Sequence, residues 1–109
     1  MGSDAAIVLA AQYPVAGLIL LSTPVEFGGL NVYDADAQVT APMLFIETAD
    51  DPFVAGQSEI LYRHATAPKS LKIFPGNEHG TQILLGAHGA ELRNLMLQFI
   101  AEHSRQQTR

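Results

Sequence analysis

Three strand-like runs, two of them wholly apolar and each closed by turn-forming residues, set the pattern of this chain. Val15 to Leu21 is continuous and apolar, and Ser22-Thr23-Pro24 stops it. Met43-Leu44-Phe45-Ile46 follows Pro42, and Ser70 to Phe74 follows Pro68. The first two runs, short and so flanked, predict strands buried on both faces, the signature of a parallel sheet, and the third predicts a further strand. Between them the period changes. Ala5 to Tyr13 predicts a largely buried helix, capped by Ser3 or Asp4 and ended by Pro14. Phe53 to Ala65 predicts an amphipathic helix with Ile60, Leu61 and Ala65 inward. Ala90 to His103 places Leu92, Leu95, Met96, Phe99 and Ile100 on one stripe. Such a stripe is what packing against a sheet requires, so these side chains read as core. Val25 to Ala41 has two glycines, scattered acids and no clean period, and reads as a loop with one short helical turn. The polar tail Ser104 to Arg109 reads as frayed.

The order is helix, strand, loop, strand, helix, strand, helix. It predicts an α/β fold: about three strands of a partial doubly wound parallel sheet, with helices on both faces. The chain has 109 residues, enough for one domain, and no internal repeat or low-complexity segment. Its net charge of −5 comes from acids spread along the chain, which disfavours nucleic acid and anionic membrane surfaces as partners. Cysteine is absent, so there is no disulfide framework and no thiol chemistry. No stretch approaches the ~20 apolar residues of a membrane span, and the start of the chain lacks a basic secretory n-region. A cytoplasmic location is expected.

Two segments carry candidate chemistry. Glu47-Thr-Ala-Asp50-Asp51-Pro-Phe-Val54 follows the second strand, and Phe74-Pro-Gly-Asn-Glu-His79-Gly80 follows the third. An acid and then a histidine, each at the carboxyl end of its strand, is how a doubly wound sheet presents two members of a Ser-His-Asp triad. Asp51 would fix the tautomer of His79 and stabilise its imidazolium, and it can also cap the helix that follows Pro52. Asp50 competes for the acid role. Glu47 is a poorer candidate because it still belongs to the strand. His64, His88 and His103 show no metal-ligand spacing, and Gly28-Gly29 reads as a plain turn rather than a phosphate loop. Neither a cofactor nor a metal is expected.

No G-x-S-x-G elbow occurs anywhere in the chain. Ser3 reads as a helix cap. Ser22 ends a strand where catalytic groups can sit, but no elbow glycines flank it and Pro24 blocks an immediate helix.

In the register Asp51-Pro-Phe-Val54, the loop Asn77-Glu-His79-Gly80 and the long apolar helix after it, the whole chain resembles the C-terminal half of an α/β-hydrolase of the serine esterase and lipase type. The resemblance favours Asp51 over Asp50. It aligns Met1-Gly2 with the last two residues of the elbow, so the serine would fall one residue before Met1, and Met1 would stand at the backbone oxyanion donor. It implies residues 1–109 as one half-domain of serine ester hydrolase lineage, with acid and base but no nucleophile, inactive alone. A small-molecule ester would be the substrate once a missing half completed the site. The short Val25 to Ala41 segment, where the family inserts its lid, implies an open site suited to small esters. The family's neighbouring strand is absent, which would leave Gly17 to Leu21 an open edge prone to homodimer pairing. The alternative is an interaction half-domain that pairs through that edge without catalysis. A flavodoxin-like or receiver-like domain fits worst, because it needs more strands and has no use for the His-Gly loop.

Overall fold

The computed structural model describes residues 2–104. Three parallel strands form one sheet in the order β1-β4-β5. They are β1 (Leu18–Leu21), β4 (Met43–Thr48) and β5 (Lys69–Phe74). Register is simple: Leu18 lies beside Met43, and Met43 beside Lys69. Helices cover both faces, so the chain is α/β, with its central strand β4 buried throughout.

Alternation along the strands divides the core in two. Leu18, Leu20, Met43 and Phe45 face one way, toward Ile7 of α1 (Gly2–Ala10), Val32 of α2 (Val32–Asp36) and Leu61 of α3 (Gln57–His64). Leu44, Ile46 and Phe74 face the other way, toward Ile83 of α4 (Gln82–Leu85) and Leu92 of α5 (Gly89–Ser104). Ile19, Leu21, Leu95, Met96 and Phe99 complete this second cluster. Successive strand side chains point to opposite faces, so the apolar run Met43 to Ile46 of β4 serves both layers at once. Each fully buried Leu, Ile or Phe contributes about 1.5–3 kcal/mol.

Several boundaries differ from the sequence reading. The first helix begins at Gly2, so Ser3 is inside it rather than capping it, and Ser3 Oγ donates instead to Leu21 O, 3.4 Å away. That helix is less buried than its composition suggests: Ile7 is buried but Leu9 is exposed, because only one face meets the sheet. The segment read as a loop holds an antiparallel hairpin, β2 (Glu26–Phe27) with β3 (Leu30–Asn31), followed by α2. Asn31 Oδ1 accepts from Asp34 N and caps α2. Helix α3 starts four residues later than expected, at Gln57, after a turn at 52–56, and its Ile60 is exposed while Leu61 and Ala65 are buried. Helix α5 matches its expected span within a residue at each end, although Ile100 lies at its exposed margin.

β1 pairs only with β4 among the described residues. Leu18 N donates to Pro42 O and Ser22 N to Ile46 O. Alternate residues of a parallel strand turn their backbone groups to opposite sides, so Ile19 and Leu21 direct theirs away from β4, where Ser3 Oγ meets Leu21 O. No helix among the described residues is long and apolar enough to cross a membrane.

Candidate active site

The carboxyl ends of β1, β4 and β5 carry Ser22, the Ala49–Val54 loop and the Pro75–Gly80 loop, and these three segments meet. Ala49 N donates to Phe74 O and Asp50 N to Gly76 O, both at 2.9 Å, which continues the ladder past the strand ends. The acid loop is thereby delivered alongside the histidine loop.

Asp51 Oδ2 lies 2.7 Å from His79 Nδ1. The Asp51 side chain is wholly buried, and that of His79 is 34% exposed. The second carboxylate oxygen, Oδ1, accepts from Phe53 N at 2.8 Å and Val54 N at 3.3 Å. Capping and pairing therefore coexist on one side chain. A buried carboxylate that accepts several N–H bonds is held in one orientation. An ionised Asp51 requires the proton on Nδ1, which leaves Nε2 as the nitrogen available to a reactant. The Phe53 ring stands edge-on to the imidazole, with centroids 5.0 Å apart. Asp50 is exposed and engages through its backbone, so the acid beside the histidine is Asp51.

The histidine loop is held on both sides of His79. Thr48 Oγ1 donates to Glu78 O at 2.6 Å, Gly80 N donates to Ser22 Oγ at 2.8 Å, and His79 N donates to Gln82 Oε1 at 3.1 Å. Ser22 is buried and has a φ of +53°, a left-handed conformation that costs an L-residue roughly 1–2 kcal/mol.

Glu47 is a strand residue, as expected, and has a structural task. Its buried carboxylate reaches the start of α3, where Oε2 accepts from Gly56 N at 3.1 Å and Oε1 from Ser58 N at 3.0 Å. Gly56, at φ +82°, offers no side chain to cap the helix. A carboxylate on the positive end of a helix satisfies otherwise orphaned N–H groups. Ser58 Oγ in turn accepts from Thr23 N and donates to Thr23 O, and Gln57 Oε1 accepts from Val25 N. The exit of β1 is thus tied to the helix that follows the acid loop. Neither this brace nor the Ser22–Gly80 bond was foreseen; the only signal was a polar residue at each strand end.

Two cavities meet at His79. One, of about 560 Å³, runs along Ser3, Ala6, Ile19, Leu21 and Thr81. The other, of about 290 Å³, is lined by Ser22, Pro24, Val54 and Gln57. Phe53 borders both. Among the described residues no hydroxyl is hydrogen-bonded to the His79 ring; Ser3 and Ser22 are engaged with backbone groups. Met1, expected at the oxyanion position, lies outside the described residues.

The other histidines stack on aromatic rings: His64 on Tyr33, His88 on Phe74, and His103 at a tilt on Phe99. Among the described residues no three His, Asp or Glu side chains come together as a metal site. The chain matches no protein-family model and no curated protein sequence.

Proposed function

We propose that this chain is of serine ester hydrolase lineage within the α/β-hydrolases, with Asp51 and His79 as the acid and base of a triad and no nucleophile of its own. The observation that carries the reading is the buried Asp51 carboxylate, 2.7 Å from His79 Nδ1 at the carboxyl edge of a parallel sheet. That arrangement leaves Nε2 to take a proton from a hydroxyl or a water in the adjoining cavities. The substrate class is a small, accessible ester, and the reading invokes neither cofactor nor metal. Without the serine, the pair acts only as a weak general base on water. A cysteine-free chain suits a reducing compartment, and we read the cytoplasm as its location.

The test is hydrolysis of p-nitrophenyl acetate, with intact mass recorded after a fluorophosphonate probe. Slow hydrolysis above the background of free imidazole, lost in both His79→Ala and Asp51→Asn, with no adduct, is the expected result. A single adduct that depends on His79 would place a usable serine inside the chain and overturn the missing-nucleophile part. Hydrolysis no faster than free imidazole, with no adduct, would remove the acid–base reading.

A second reading rests on the open edge of β1, whose Ile19 and Leu21 backbone groups point away from β4. In it the chain is a non-catalytic half-domain that adds a strand there, from a second copy of itself or from another chain.

A further inference from the structure

Ser22 combines three properties found together nowhere else among the described residues. It is the one described residue other than glycine with a positive φ. It is 2% exposed. Its hydroxyl accepts a hydrogen bond from a residue 58 positions away, Gly80 N, at 2.8 Å. Glycine would adopt that backbone without strain, but glycine has no hydroxyl. What serine supplies at this position is an acceptor for the Gly80 amide.

The amide in question directly follows His79. On the other side, the Glu78 carbonyl is fixed by Thr48 Oγ1. Thr48 ends β4, and Ser22 is bonded to β4 through its own N–H to Ile46 O, 2.8 Å away. The two hydroxyls therefore grip the peptide groups that flank the histidine, and both grips are anchored on the central strand. Asp51 leaves the same strand end. A short hydrogen bond between Nδ1 and Oδ2 needs both partners held to within a few tenths of an ångström. The Asp51 side is secured by two backbone amides, whereas the His79 side is a half-exposed loop.

We propose that Ser22 is a positioning residue for His79: its hydroxyl holds Gly80 so that Nδ1 stays on Asp51 and Nε2 keeps a fixed place between the two cavities. This deepens the acid–base reading above and rests on it for its functional meaning.

Three forms of the whole chain test it by NMR: the parent, Ser22→Gly and Ser22→Asn. Glycine relieves the backbone and deletes the acceptor. Asparagine tolerates left-handed φ and keeps an acceptor oxygen. The readouts are exchange of the Gly80 amide, the Nδ1-bound proton of His79 and thermal unfolding. In Ser22→Gly the Gly80 amide should exchange about tenfold faster, as loss of one hydrogen bond implies. The His79 Nδ1 proton should broaden or vanish, with the unfolding midpoint equal to the parent's or higher. Ser22→Asn should restore the Nδ1 signal. An unchanged Nδ1 proton in Ser22→Gly overturns the proposal. So does a loss that Ser22→Asn does not restore, which assigns the effect to packing. A Ser22→Gly chain that fails to fold overturns it too, because the hydroxyl then holds the fold rather than the histidine. These signals are read whether or not the chain cleaves an ester, so a chain without esterase activity leaves the outcome intact.

Discussion

The Asp51 carboxylate is shared between His79 and the turn that follows it: Oδ2 meets Nδ1 at 2.7 Å while Oδ1 accepts from Phe53 N at 2.8 Å. One oxygen builds the acid loop and the other reaches out of it. The two tasks separate under substitution. Asp51→Asn retains an oxygen for the turn but presents an amide donor or a neutral acceptor to the imidazole. It should change stability in urea by less than about 1 kcal/mol and abolish the Nδ1-bound proton signal. Asp51→Ala should cost about 1–2 kcal/mol, because the capped amides lose their acceptor as well. Asp50→Asn, on the exposed neighbour, should leave both readouts unchanged. An intact Nδ1 signal in Asp51→Asn would mean that the carboxylate does not set the tautomer.

Glu47 is buried with both oxygens on amides at the start of α3. Glu47→Ala should lower stability by about 1–3 kcal/mol, since the buried Ser58 N–H and the part-buried Gly56 N–H both lose their partner. Glu47→Gln should cost less, because one oxygen remains. Denaturant midpoints measure both. A loss under about 0.5 kcal/mol for Glu47→Ala would show that water replaces the carboxylate.

Asp36 is fully buried on α2, and among the described residues neither of its oxygens has a partner. Burial raises its pKa to about 7, against an opposing pull from Lys69. The folded chain then keeps a proton that the unfolded chain has already released. Stability therefore falls as pH rises from about 4 to about 7 and is flat above. Asp36→Asn should flatten that slope and raise stability at pH 8 by about 1–3 kcal/mol. Urea midpoints across pH 4–8 decide it. A parent slope that persists in Asp36→Asn would assign the dependence to another group.

The open β1 edge makes a prediction about association. If a second copy pairs there, sedimentation will show a concentration-dependent dimer. Ile19→Pro removes an outward N–H without touching the bonds to Pro42 and Ile46, and it should give a monomer. Ile19→Val, which trims the same side chain but keeps the amide, should still dimerise. A parent chain that stays monomeric at high concentration removes self-pairing through β1.

The sheet was legible because an apolar run has few ways to be satisfied. Met43 to Ile46, four apolar residues after Pro42 and too few for a buried helix, favours a strand with both faces covered, and it belongs to the central one. α5 was legible for the same reason: its stripe of Leu92, Leu95, Met96 and Phe99 repeats with the helical period. Boundaries were less so. Phe53 to Gly56 carries residues that a helix tolerates, yet the Asp51 side chain and Gly56 at positive φ make it a turn. The β2–β3 hairpin has two-residue strands, too short to leave any period to read.

By itself the sequence determined the order of the three sheet strands and of helices α1, α3 and α5, the parallel class of the sheet and the two loops that carry an acid and a histidine; it missed the β2–β3 hairpin and the short α4. Local propensity and hydrophobic period act over a few residues, and these features are local. Only the tertiary structure decided that Asp51 rather than Asp50 meets His79, that Glu47 caps a helix, and that Ser22 reaches Gly80. Each of these is a hydrogen bond across the fold, from 9 positions for Glu47 and Gly56 to 58 for Ser22 and Gly80. Its existence depends on ångström-scale placement of strand ends, and that placement comes from how the two apolar layers pack on β4, which no single segment encodes.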